Sequence, residues 1–276
     1  MNPVAFGLAF GAAILHASWN MVVKDSSDRL LNMWAIIFLP GCVCIPLALV
    51  VRPDIGAIAV MVAVSAMVHT TNDMLMARAY DLVDLSVAYP LARGFSPALI
   101  AVGGVWLLGD ALSAAAVVGI VLVAGGIVSL ATGQFDPRGV TVALTAAVAV
   151  ASYTLLDGAG VRTLGSAPAF ITVSFPAHAA LMTIVTLKLR GPAAMGAFLR
   201  RERNRVAGTA VAAPASYVLV LLAIERAPIG LVSAIRETSL VIAAILGVIV
   251  LKERLTRRRI SAAVVITFGA VTLALN

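Results

Sequence analysis

Apolar residues in this chain come in long blocks, each close to twenty positions, separated by short segments where charges and turn formers gather. A block of that length matches the roughly 20 residues an α-helix needs to cross a bilayer. The pattern predicts ten such helices, over 3–23, 30–51, 56–78, 86–108, 112–132, 138–157, 168–189, 206–225, 229–251 and 258–275. The breaks are clear at 24–29, at Arg52-Pro53-Asp54, at Asp136-Pro137-Arg138 and at Glu225-Arg226-Ala227-Pro228. In lipid only helices or a closed barrel satisfy the backbone. The blocks are much longer than the roughly 10-residue alternating strands of a barrel. The expected class is therefore all-α integral membrane, and Ala and Gly within the blocks suit close helix packing.

Positions also repeat along the chain. Leu108-Gly-Asp-Ala-Leu-Ser113 matches Leu251-Lys-Glu-Arg-Leu-Thr256 at an offset of 143, and the same offset lays Arg93 on Arg236. Near the start of each half, Ala-Ser-Trp-Asn at 17–20 resembles Ala-Ser-Tyr-Thr at 151–154, at an offset of 134. These anchors predict two five-helix repeats, 1–135 and 136–276. Five is odd, so the two halves must run through the membrane in opposite senses. That inverted arrangement belongs to secondary transporters, with the substrate held between the halves near the midplane.

Composition sharpens this picture. Of 276 residues 61% are hydrophobic and 12% charged, with mean hydropathy +1.04, against about 25% charged in a soluble chain. The net charge of +7 does not point to nucleic acid, because the basic residues sit between apolar blocks. Of the 20 Lys and Arg, 15 fall in the loops after helices 1, 3, 5, 7 and 9, led by 188–205 and 252–259. The positive-inside rule assigns those loops to the cytoplasm and both termini to the outside. The first block lacks a basic start and a cleavage site, so it is read as helix 1 rather than a removed leader. Cys42 and Cys44, two apart in one block, are read as apolar fillers.

Ionisable residues inside spans mark function, since each costs about 2.5–3.5 kcal/mol on insertion scales. Arg93 and Arg236 each lie about seven residues into their helices, and arginine suits paired hydrogen bonds to a carboxylate, phosphate or phosphonate. Glu237 is positioned to neutralise one arginine or to take a coupling proton; a simple brace between helices 4 and 9 is the alternative. His16, Asn20 and Lys24 share a helix face with Trp19 beside them, and Tyr89–Arg93 and Tyr153–Asp157 repeat the four-residue spacing. His69 and Asp73 are spaced to pair with one another, and His178 reads as a packing histidine. The expected substrate contacts are His16, Trp19, Asn20, Tyr89, Arg93, Tyr153 and Arg236, with Asp157 and Glu237 as proton-coupling groups. No phosphate-binding loop, zinc motif or nucleophile elbow occurs, so no cofactor, metal or ATP drive is expected.

The chain resembles the drug/metabolite transporter superfamily, in its EamA-like ten-helix branch. The resemblance rests on His16-Ala-Ser-Trp-Asn20, Tyr89-Pro-Leu-Ala-Arg-Gly94, Leu108-Gly-Asp-Ala-Leu-Ser113, Tyr153 to Arg162, Arg236-Glu-Thr-Ser239 and Leu251-Lys-Glu-Arg-Leu-Thr256. It implies a bacterial inner-membrane carrier of small metabolites, often an exporter. Superfamily members are commonly described with cytoplasmic termini, which the charge count here opposes. The expected function is secondary transport, as efflux or exchange, of a small anionic or zwitterionic metabolite by alternating access. The chain is expected to work as a monomer or homodimer in the bilayer. The rival reading is an intramembrane enzyme on a lipid or isoprenoid headgroup, with the same His, Asp and Arg groups as base and phosphate clamp.

Overall fold

A computed structural model describes residues 1–23, 28–82, 85–131, 136–243, 245 and 256–275, with side chains described outside 20–23, 29, 77–82 and 85–90. Among the described residues every element is helical: α1 Pro3–Val23, α2 Arg29–Val51, α3 Ile55–Leu82, α4 Leu85–Leu108, α5 Ala114–Val128, α6 Pro137–Leu164, α7 Ala167–Arg201, α8 Arg203–Ile224, α9 Ile229–Arg236 and α10 Arg257–Ala274. Six of these are long and apolar enough to cross a membrane, and Pro3–Trp19 and Ala114–Val128 are shorter apolar stretches. The outward faces agree with that reading, for Trp106 is 84% exposed and Val60 76%. Such apolar exposure has no counterpart on a soluble surface but suits contact with lipid tails.

The ends are set by short polar side chains that satisfy free N–H groups. Asp28 accepts from Leu31 N–H, Ser113 from Ala116, Ser166 from Ala169 and Thr256 from Arg259. Ser113 and Thr256 are the pair that the 143-residue offset superposes, so the two matching segments cap α5 and α10 alike.

Three spans differ from expectation. α6, expected over 138–157, runs on to Leu164 and carries Arg162 in its last turn rather than in a loop. The segment 190–201, read as a loop, is helical: α7 passes through a kink at Gly191 (φ 77°) and continues to Arg201. Glycine adopts that φ without a Cβ clash, and Met195 and Phe198 then turn inward onto Leu31 and Trp34. The ninth span, expected unbroken over 229–251, is interrupted. α9 ends at Arg236, Glu237 and Thr238 form a turn, and helix resumes at 239–243. The remainder of that predicted span, 246–251, lies outside the described residues. At the break Thr238 N–H bonds Ile235 O at 3.0 Å and Leu240 N–H bonds Glu237 O at 3.1 Å, a three-residue pattern tighter than α.

In the bundle α3 packs on α6, α1 on α8, α2 on α7 and α5 on α10, while α4 contacts α5, α6 and α9. The α5–α10 seam is close enough to exclude side chains. A Cβ on Gly269 would stand 2.8 Å from Gly119 O, and one on Gly126 would stand 3.3 Å from Ala262 O. The core beneath is mainly apolar, including Phe170, Ile229 and Ile235, all fully buried.

Candidate functional site

Two polar clusters, one basic and one acidic, border a single cavity of about 190 Å³. The basic cluster forms where α4 meets the break after α9. Arg93 donates from Nε to Glu237 Oε2 at 2.9 Å, and its Nη2 lies 2.7 Å from Oε1. Arg236 Nη2 reaches the same Oε1 at 3.2 Å. Glu237 is completely buried, and Arg93 and Arg236 are 8% and 4% exposed. The expected brace between helices 4 and 9 is thus present, but one carboxylate serves two guanidinium groups. The cluster keeps a formal charge of +1, and Arg236 Nε is buried with no hydrogen-bond partner.

Glu237 keeps helical backbone (φ −69°, ψ −10°), so it leaves α9 about 100° round from Arg236, the step per residue. The long Arg236 side chain closes that angle to reach the carboxylate that Arg93 holds. At the position matching Glu237, the first half has Gly94, where a Cβ would stand 2.7 Å from Val128 Cγ2. Only the second half has room for the shared carboxylate.

The acidic cluster centres on Asp157 of α6, which is 1% exposed. Ser65 of α3 and Tyr217 of α8 donate their hydroxyls to it, and His69 Nε2 lies 3.0 Å from Oδ2. The His69 ring stacks on Tyr153 at 3.7 Å between centroids and on His178 at 4.9 Å. His178 Nε2 in turn lies 3.4 Å from Asp73. The spacing of His69 and Asp73 suggests a mutual pair, but each takes a partner from the second half instead. His178 therefore belongs to the polar cluster rather than to packing alone.

Of the residues expected to meet substrate, His16, Trp19, Arg93, Tyr153 and Arg236 line the cavity together with Asp157. His16 packs edge-on to Trp19 at 5.1 Å, and Trp19 Nε1 has no hydrogen-bond partner. Glu237 sits behind the arginines, outside the lining. The side chains of Asn20 and Tyr89 lie outside the described ones, and Lys24 lies outside the described residues.

Sequence reasoning overlooks Ser65, Tyr217 and the cavity face of Ser174. Ser65 has a signal, since it stands four residues before His69 as His69 stands four before Asp73. Tyr217 has none, for it reaches Asp157 across 60 positions. An unpartnered Arg236 Nε, Trp19 Nε1 and Ser174 hydroxyl belong to residues that border one cavity together with Asp73 and Asp157. Such a space can hold a small molecule with an anionic end and a polar or cationic one.

The family model described as EamA-like transporter family matches residues 137–275, half of the chain. No curated protein matches. A solved crystal structure, described only as that of a protein, aligns with a TM-score of 0.77 at 19% identity, over 98% of this chain and 97% of its own. At that identity the likeness speaks to fold.

Proposed function

The chain belongs to the EamA-like transporter family, and we propose that it is a secondary active carrier that exports or exchanges a small anionic or zwitterionic metabolite. As a family member it is a multi-pass membrane protein and a transporter rather than an enzyme. The observation that carries the finer reading is the excess positive charge of the Arg93–Glu237–Arg236 cluster at the edge of a mainly apolar cavity. A buried guanidinium with an unmatched N–H favours a ligand that brings an acceptor oxygen. A volume of about 190 Å³ is below the roughly 300–1,000 Å³ typical of sites for drug-sized ligands, which favours a compact molecule.

The proposal includes two inverted repeats, 1–135 and 136–276. Exchanging each helix of the first half with its counterpart in the second turns the α3–α6 contact into α8–α1 and leaves α2–α7 in place. The close approach of Gly126 to Ala262 becomes that of Gly269 to Gly119 under the same offset. Both correspondences support opposed halves around a central site. In this reading Arg93 and Arg236 hold the anionic group, and His16, Trp19, Asn20, Tyr89 and Tyr153 shape its surroundings. Asp157 and Glu237 are the buried carboxylates available to couple transport to protons. The carrier resides in a bacterial inner membrane with 188–205 and 252–259 in the cytoplasm, as a monomer or homodimer, without metal or cofactor.

Transport by Arg93→Ala and Arg236→Ala variants tests this. Both are expected to lose transport while remaining folded in the membrane; full activity in both would contradict the assignment.

A further inference from the structure

The cavity is sealed on one side by a cluster remote from the charges already described. The loops after α2, α4, α6 and α8 define one membrane face, here the even face. On that face Asp110, in the turn between α4 and α5, joins three elements. Its Oδ1 accepts from Arg162 Nη2 near the end of α6 at 2.7 Å, and its Oδ2 accepts from the Ile229 backbone N–H that opens α9 at 2.8 Å. Arg162 Nη1 also donates to Leu108 O at 3.0 Å, closing a fork over the end of α4. α9 has no cap of its own, since Pro228 provides none; Asp110 supplies the acceptor from another element.

Beneath this cluster the packing is tight. A Cβ on Gly104 would stand 2.7 Å from Ile229 Cγ2, one on Gly158 2.6 Å from Ile229 Cδ1, and one on Gly230 2.7 Å from the Ala101 backbone. Every residue of α9 is buried. On the opposite side, Trp19 near the end of α1, and Met33 and Ile36 early in α2, line the cavity. The cavity therefore extends toward the odd face and is stopped at the even face by α9 and what holds it.

We propose that Asp110 and Arg162 form the even-face gate, and that opening there requires α9 to part from the α4–α5 turn. Eight residues span about 12 Å at 1.5 Å each, so one short buried helix bears the gate contact at its start and Arg236 at its end. With the break at Glu237–Thr238 as the pivot, parting swings the start of α9 furthest, while Arg236, beside the pivot, turns with the helix rather than travelling. The same rotation thus opens the gate and re-aims the guanidinium, which couples gate and site through one element.

Sided cysteine labelling tests this and does not depend on transport. In a chain with Cys42 and Cys44 replaced by alanine, Ser174→Cys places one thiol at the cavity wall. Sealed vesicles of both orientations are treated with a membrane-impermeant maleimide. Asp110→Asn and Arg162→Gln are each expected to raise labelling from the even face about tenfold, the change that ~1.4 kcal/mol makes in a two-state population. Unchanged even-face labelling in both folded variants would overturn the gate. Hydrogen exchange on the unsubstituted chain gives a second reading should either variant misfold. The segments 108–112 and 229–236 are expected to exchange together and faster than 153–160; protection equal to that of 153–160 would overturn the proposal. Loss of transport with normal gating would instead count against the carrier reading alone.

Discussion

Arg93 holds Glu237 by two contacts, 2.9 Å from Nε to Oε2 and 2.7 Å from Nη2 to Oε1, across 144 positions of sequence. The residue it grips directly follows Arg236, which an offset of 143 lays on Arg93. One carboxylate thus holds two buried cations where α4 meets the break after α9.

Removing that carboxylate leaves both guanidinium groups buried without it. Breaking a buried ion pair from one side costs about 3–5 kcal/mol. Glu237→Gln is therefore expected to lower the thermal unfolding midpoint in detergent more than Arg236→Gln, which leaves the Arg93–Glu237 pair intact. An equal or smaller effect of Glu237→Gln would show that the cluster does not brace the fold.

Asp157 accepts from Ser65 and Tyr217 and pairs with His69 at 3.0 Å. An amide at this position keeps an acceptor oxygen but no longer takes up and releases a proton. Asp157→Asn, reconstituted in vesicles, is expected to retain substrate exchange and to lose accumulation driven by a proton gradient. Accumulation at the native level would remove Asp157 from coupling.

At the odd face, Asp28 caps α2 and pairs with Arg190 at 2.8 Å. Burial pushes its carboxyl up, but the hydrogen bonds from Arg190 and the Leu31 N–H outweigh this and hold it below the usual carboxylate value. A depressed folded value means that the contribution is present above the unfolded pKa and disappears as pH falls through the folded one. Asp28→Asn should lower stability at pH 7, by under about 1 kcal/mol for so exposed a pair. The difference from the native chain should vanish in acid, below the native carboxyl's titration. A difference that persists unchanged in acid would show that the charge is not its source.

Much of this architecture is readable because lipid imposes a simple rule: long apolar blocks must be helices, and charges within them need a reason. That logic places Arg93, Arg236 and Asp157 at the cavity. The break after Arg236 is unreadable, because Glu237-Thr238 has neither the proline nor the glycine that usually interrupts a helix. At that break Glu237 meets Arg93 across 144 positions, a contact that no local pattern contains. Gly191-Pro192 reads as a break, but not that helix resumes beyond it: the positive φ at Gly191 turns 192–201 back onto α2. His69 illustrates a further limit. A four-residue spacing permits its pairing with Asp73, but Asp157 from the opposing half outcompetes a neighbour on its own helix. Spacing identifies residues that share a face, whereas partners across the bundle are set by packing.

The central claim is that Arg236, with its unmatched buried Nε, receives the anionic group of the substrate. It is tested most directly by thermal shift of the purified protein against amino acids, organic acids, phosphonates and cationic drugs, in the native chain and in Arg236→Gln. The expected result is stabilisation by anionic or zwitterionic compounds that is lost in the variant. Stabilisation by cations alone, or by anions undiminished in Arg236→Gln, would contradict it.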